Sequence, residues 1–182
     1  MMPPRRERMS VELPAVIALG SNLGDREATL RAAVRAVDAL AGVTVTAASG
    51  IVESAALTLA GVDESAPSYL NAVIVVRSRV QPEDLLEALQ GIETSLGRER
   101  TVRWGDRTLD LDLIDAVVRR DSESLTLPHP RAWERAFVLA PWLEVQPDAV
   151  VAGRGTVRDL LAAASDSVTA YPAPPLLERC GP

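Results

Sequence analysis

Lysine is absent from this 182-residue sequence, so all 19 of its basic residues are arginine. That excludes mechanisms built on a lysine amine, including the phosphate-loop lysine and Schiff-base chemistry. Cysteine occurs once, as Cys180 near the end, which excludes an internal disulfide and fits a reducing, cytoplasmic setting. Histidine also occurs once, as His129. No apolar run approaches the roughly 20 residues of a membrane span, so no membrane partner is expected. The start, MMPPRRERMSVELP, is basic but lacks the apolar stretch of a signal peptide. Residues 1–13 are expected to be a disordered leader, and residues 172–182, rich in proline, a flexible tail. A net charge of −6 argues against a broad polyanion-binding face, so nucleic acid is not an expected partner.

The remainder, residues 14–171, reads as one domain, with enough apolar content (47%) for a real core. Residues 15–19 form a buried strand ended by Gly20-Ser21-Asn22. Asp25 can cap a helix with Leu30, Val34, Val37 and Ala41 at a 3.6 period. Residues 43–52 are rich in β-branched side chains and read as a second strand. Residues 57–67 read as a loop and residues 69–77 as a central third strand. Pro82 opens a helix through Leu85, Leu89, Ile92 and Leu96, stopped by Gly97. After a loop over 98–106, residues 108–114 form a fourth strand. The order βαββαβ predicts an α+β fold with a ferredoxin-like core, helices on one sheet face, and C-terminal additions.

Four arginines, Arg98, Arg100, Arg103 and Arg107, crowd one stretch of an acidic chain, which points to a small anionic ligand. They run into Thr108-Leu109-Asp110-Leu111-Asp112-Leu113. On a strand the leucines enter the core, and Asp110 and Asp112 face the other side together. Two carboxylates at that spacing suit Mg²⁺, which completes its shell with waters and substrate phosphates. Taken alone, the pair fits a solvated edge strand better. Arginine forks beside it suit phosphoryl transfer, where charge on the phosphates must be neutralised. His129, between Pro128 and Pro130, is either a phosphate donor or a packed surface residue. Tyr69 and Asn71 share a strand face and can address one planar ligand. The default for Tyr69, Trp133, Phe137 and Trp142 is the core, whereas Trp104 lies in the arginine-rich loop.

With those segments in view, the chain resembles the 6-hydroxymethyl-7,8-dihydropterin pyrophosphokinase family between Val16 and about Pro147. The resemblance rests on Ala18-Leu-Gly-Ser-Asn-Leu-Gly-Asp25, Tyr69-Leu-Asn-Ala-Val73, Leu96-Gly-Arg98, Arg103-Trp-Gly105, Arg107-Thr-Leu-Asp-Leu-Asp112 and Leu127-Pro-His-Pro-Arg131. It implies transfer of pyrophosphate from Mg-ATP to the pterin hydroxymethyl group, releasing AMP. By that resemblance Asp110 and Asp112 hold two Mg²⁺ ions, and Arg98 and Arg107 engage ATP during transfer. Gln90, Glu93, Arg100, Trp104, Leu113, His129 and Arg135 are expected nucleotide contacts. Ser54, Leu57, Tyr69, Asn71 and Phe137 are expected to hold the pterin. The partners implied are these two small molecules, acting on a monomer.

Three departures from the family pattern stand out. Ala55 to Gly61 replaces a proline-containing loop, Asp106 replaces a proline, and Ile114-Asp115-Ala116 replaces an apolar run. Two rivals remain on sequence grounds. One is another Mg-ATP phosphotransferase with a different planar alcohol. The other is a ferredoxin-like nucleic-acid module, disfavoured by six scattered aromatics and the negative charge.

Overall fold

The computed structural model describes residues 11–58, 61–63, 67–97 and 108–177. Strand β1 (Leu13–Ser21) leads into helix α1 (Arg26–Asp38). Asp25 caps α1, its Oδ1 accepting the Ala28 N–H at 3.0 Å; this satisfies one of the orphan donors of the first turn. The β-branched stretch that reads as one strand is two, β2 (Val43–Ala48) and β3 (Ile51–Ser54). The break falls at Ser49-Gly50, where the Ser49 hydroxyl takes the Val73 N–H at 3.0 Å in place of the Ser49 carbonyl, while the Ser49 N–H still donates to the Val73 carbonyl at 2.9 Å. A small hairpin, β4 (Ala56–Thr58) with β5 (Gly61–Asp63), occupies part of the segment expected to be loop. Strand β6 (Tyr69–Ser78) precedes α2 (Pro82–Ser95), and Gly97 ends that region at φ +93. Strand β7 (Asp110–Ala116) closes the ferredoxin-like core.

The sheet runs β7, β1, β6, β3, with β2 also on β6, and β8 (Thr169–Tyr171) beyond β3. All pairings are antiparallel. One face carries Ile17, Leu19, Ile74, Leu111 and Leu113 against Leu30, Val34 and Val37 of α1 and Leu85 and Leu89 of α2. Each such side chain contributes about 1.5–3 kcal/mol on burial. The expectation of helices on one face holds for α1 and α2 only. The opposite face is covered too: Val16, Val73 and Ile114 meet Val138, Leu139 and Trp142 of α3 (Ala136–Val145) and Val157 of α4 (Val157–Ala163). The C-terminal additions are therefore a second layer of core, and a sheet apolar on both faces requires one.

Of the expected leader and tail, residues 1–10 and 178–182 lie outside the described residues, and the described parts of both depart from expectation. Glu12, placed in the leader, pairs with Arg79 at 2.7 Å, and β1 starts at Leu13. Residues 172–177, placed in the tail, dock on the core: Leu176 is 8% exposed, and the Arg31 guanidinium donates to the Pro174 and Pro175 carbonyls at 2.7 and 2.8 Å. Prolines hid the docking because they break periodicity while costing little chain entropy on ordering. Deleting residues 172–182 is expected to lower Tm by about 5 °C, from a loss of about 2 kcal/mol at Leu176 alone. An unchanged thermal melt would show that the docking contributes no stability.

Candidate active site

The site forms on the α3 side of the sheet, from three adjacent strands. Residues opposite one another in an antiparallel pair share a face. Gly20 of β1 lies opposite both Asn71 of β6 and Asp110 of β7, so the three make one row. Val73, Ala18 and Asp112 make the next. Asp110 and Asp112 are half-buried on this face, whereas Leu109, Leu111 and Leu113 are buried on the other. The alternation read from the sequence therefore holds, and the carboxylates are held on a strand rather than on a loop.

Gly20 is the low point of its row. A Cβ there would meet Asn71 Oδ1 at 3.2 Å, Tyr69 Cδ1 at 3.9 Å and Asp110 Cβ at 4.0 Å. On one side of that gap stand the polar groups expected to hold a planar ligand. Asn71 is 4% exposed, and its Nδ2 donates to Ser54 Oγ at 2.9 Å. Ser54, at the end of β3, lies opposite Tyr69 in the ladder. The amide is thus pre-set, with little rotamer entropy left to lose on binding. Phe137 comes from α3, which packs across β6 and β3, and the Arg135 guanidinium sits 5.5 Å from its ring centroid. Leu57 lies in β4.

On the other side of Gly20 stands a charged group. Burial first, then the neighbouring Arg135, lowers the His129 imidazole pKa, with Asp110 opposing and Arg131 adding to the effect. The ring is therefore neutral at pH 7. Its Nδ1 accepts the Arg131 N–H at 3.3 Å, so the proton resides on Nε2 as a donor. Burial and then Arg131 lower the Arg135 pKa, while Asp112, Asp110 and Asp166 pull it up; a guanidinium stays charged through such shifts. Asp166 also accepts the first N–H of α3, from Ala136, at 2.9 and 3.1 Å. His129, Arg131, Arg135, Asp110 and Asp112 thus feel one another as a single electrostatic set.

Not every expected contact opens to this space. Leu113 is 2% exposed, which leaves only its backbone for a ligand. Glu93 is also 2% exposed, and it accepts the Leu111 N–H at 2.7 Å. Gln90 is exposed on α2, one turn before Glu93. Arg98, Arg100, Trp104 and Arg107 lie outside the described residues, as does Asp106. The residues bounding that segment are described: the Thr108 hydroxyl donates to the Gly97 carbonyl at 3.3 Å, and Ser21 Oγ donates to the Thr108 carbonyl at 2.6 Å. The arginine-rich segment therefore leaves and returns beside Asp110. Sequence reasoning missed Gly20 and Arg131 as site residues. The signals were a glycine within an apolar strand, and a second arginine after the Pro-His-Pro turn.

Among the described residues no third metal-binding side chain joins Asp110 and Asp112 in a ligand cluster. Two carboxylates on one strand face, with cations placed for phosphates and a glycine floor beside them, fit Mg²⁺, which takes few protein ligands. They fit zinc or a calcium cage poorly.

Comparison with known proteins agrees with this chemistry. Residues 16–147 match the profile of "7,8-dihydro-6-hydroxymethylpterin-pyrophosphokinase (HPPK)". The 2-amino-4-hydroxy-6-hydroxymethyldihydropteridine pyrophosphokinase of Bacillus subtilis is 46% identical over 134 residues, covering 72% of this chain and 77% of that one. That of Methylorubrum extorquens is 40% identical, covering 81% and 91%. A crystal structure of Plasmodium falciparum HPPK-DHPS with pteroate superposes with a TM-score of 0.64 at 14% identity. That match covers 86% of this chain and 44% of that one, and it speaks to the fold. The chain belongs to the 7,8-dihydro-6-hydroxymethylpterin-pyrophosphokinase family.

Proposed function

We infer that this chain transfers a pyrophosphoryl group from Mg-ATP to the hydroxymethyl oxygen of 6-hydroxymethyl-7,8-dihydropterin, releasing AMP, in folate biosynthesis. The observation that carries this is the row Asn71, Gly20, Asp110. It sets a planar-ligand anchor and a metal-type carboxylate on either side of a glycine floor.

The residues divide by role. Asn71 and Ser54 address the pterin edge, and Tyr69 and Phe137 supply its aromatic walls. Asp110 and Asp112 would hold Mg²⁺, two ions in this reading, which would neutralise charge on the phosphates. Arg131, Arg135 and the Nε2–H of His129 face the phosphates from the α3 side. Arg98 and Arg107 are assigned to ATP by the family resemblance, and the pinned ends of their segment support this. The alcohol oxygen forms its bond to the β-phosphorus as the bond from that phosphorus to the α,β-bridging oxygen breaks; AMP carries the bridging oxygen away, and the hydroxyl proton passes to solvent. Holding the two reacting atoms in line supplies much of the rate, and the guanidinium groups stabilise charge as it develops.

The protein is proposed to act as a monomer in the cytoplasm on these two small molecules, without nucleic acid or a membrane. The single cysteine and the net charge of −6 support this. Among the described residues, no helix is long and apolar enough to cross a membrane.

Incubation with Mg-ATP and the dihydropterin alcohol, followed by ³¹P NMR, is expected to show AMP and a diphosphate ester. ADP with a monophosphate ester would mean a different phosphotransferase, and no turnover would refute the reading.

A further inference from the structure

We propose that Glu93 is a positioning residue for the strand that carries Asp110 and Asp112, acting through the backbone of Leu111. The proposal rests on the reading of those aspartates as the metal-holding pair. Among the described residues strand β7 lies at the edge of the sheet, with β1 as its ladder partner on one side only. An edge strand leaves every second N–H without a partner strand, and a buried N–H left that way is costly. Leu111, between the two aspartates, is 3% exposed, and Glu93 Oε1 accepts its N–H at 2.7 Å. The carboxylate comes from the last turns of α2 and is 2% exposed. A direct bond at 2.7 Å holds the peptide between two ligands more firmly than a water contact would. It fixes the pleat that sets the Asp110–Asp112 separation, and ties that pleat to the helix whose end, at Gly97, begins the arginine-rich segment.

Groups that orient metal ligands without touching the metal typically change metal affinity or activity 10- to 100-fold when removed. The family resemblance makes Glu93 a nucleotide contact instead, and the two roles separate experimentally. Three variants are needed. E93Q keeps an oxygen acceptor at the same reach and loses the charge. E93D keeps the charge but is one methylene short of Leu111. E93A removes both.

Two measurements decide the matter. Amide hydrogen exchange at Leu111, followed by NMR in the absence of ligands, is expected to speed up about tenfold in E93D and E93A and to stay within about threefold in E93Q. The Mg²⁺ concentration for half-maximal turnover is expected to rise about tenfold in E93D and E93A, with a fall in kcat, and to rise less in E93Q, which keeps the acceptor. If E93A does not fold, E93D against E93Q carries the same contrast. Unchanged Leu111 exchange in E93D would overturn the proposal. So would a rise confined to the KM for ATP with kcat and Mg²⁺ dependence intact, which marks a nucleotide contact. The D112N variant separates this failure from that of the site reading. Loss of turnover in D112N with a parent-like E93D sinks the Glu93 proposal alone, whereas a parent-like D112N sinks both.

Discussion

Asp110→Asn or Asp112→Asn is expected to lower kcat by about 10³-fold or more while leaving Tm within about 2 °C of the parent. A factor of 10³ corresponds to about 4 kcal/mol of lost transition-state stabilisation, a reasonable cost for removing one anionic ligand from a metal that clamps phosphates. The small change in Tm follows from the geometry. Asparagine matches aspartate in volume, both side chains are half-buried, and β7 is anchored from the opposite face by Leu109, Leu111 and Leu113, at 0, 3 and 2% exposure. A sign test accompanies the rate. Both aspartates pull up the Arg135 pKa, so each offsets a cation assigned above to the phosphate side. Removing one carboxylate therefore removes a repulsion toward ATP. Metal-free ATP is expected to bind the variants as well as the parent, or a few-fold tighter, by calorimetry. Turnover within a few-fold of the parent would end the metal assignment.

The sequence made the core legible because its elements obey single periods. Asp25 caps α1, Pro82 and Gly97 bracket α2, and the leucines of β7 alternate with its aspartates. What escaped was long-range. Nothing local shows that Ser49 would break a β-branched run by taking the Val73 N–H, or that Leu176 would find the core across a proline-rich stretch. The candidate site shows the same division. Which residue types cluster was readable, since Asp110, Asp112 and His129 fall in short recognisable segments. Which of them are open to a ligand was not: Glu93 looks as exposed in sequence as Gln90 does, yet it is 2% exposed. Strand register, which a sequence does not print, is what put Gly20 between Asn71 and Asp110.

Gly20→Val is expected to weaken dihydropterin binding by about 10²-fold or more and to leave Mg-ATP binding within a few-fold, while Tm falls by no more than a few degrees, because the crowding at Asn71 and the backbone gain oppose one another. The backbone at Gly20 is not in the left-handed region, so any L-residue can adopt it. Glycine inside a strand costs about 0.5–1 kcal/mol relative to a residue with a side chain, through the entropy of the unfolded chain. Judged on folding alone, then, the position favours replacement. Occupancy works the other way. A Cβ would sit 3.2 Å from Asn71 Oδ1, tighter than ordinary contact, and the valine methyls would extend farther over the same floor. Asn71 has little room to yield, because its amide is buried and already bonded to Ser54. The pterin would then meet both a displaced anchor and a filled gap between that anchor and Asp110. Gly20→Ala is expected to give an intermediate loss of about tenfold, since it adds one atom where valine adds three. Calorimetric titration of each ligand into each variant, with a thermal melt of each, separates the contributions. A variant that binds dihydropterin like the parent would show that the ligand does not cross the sheet at this row. A matching loss of Tm would show that the glycine serves packing instead.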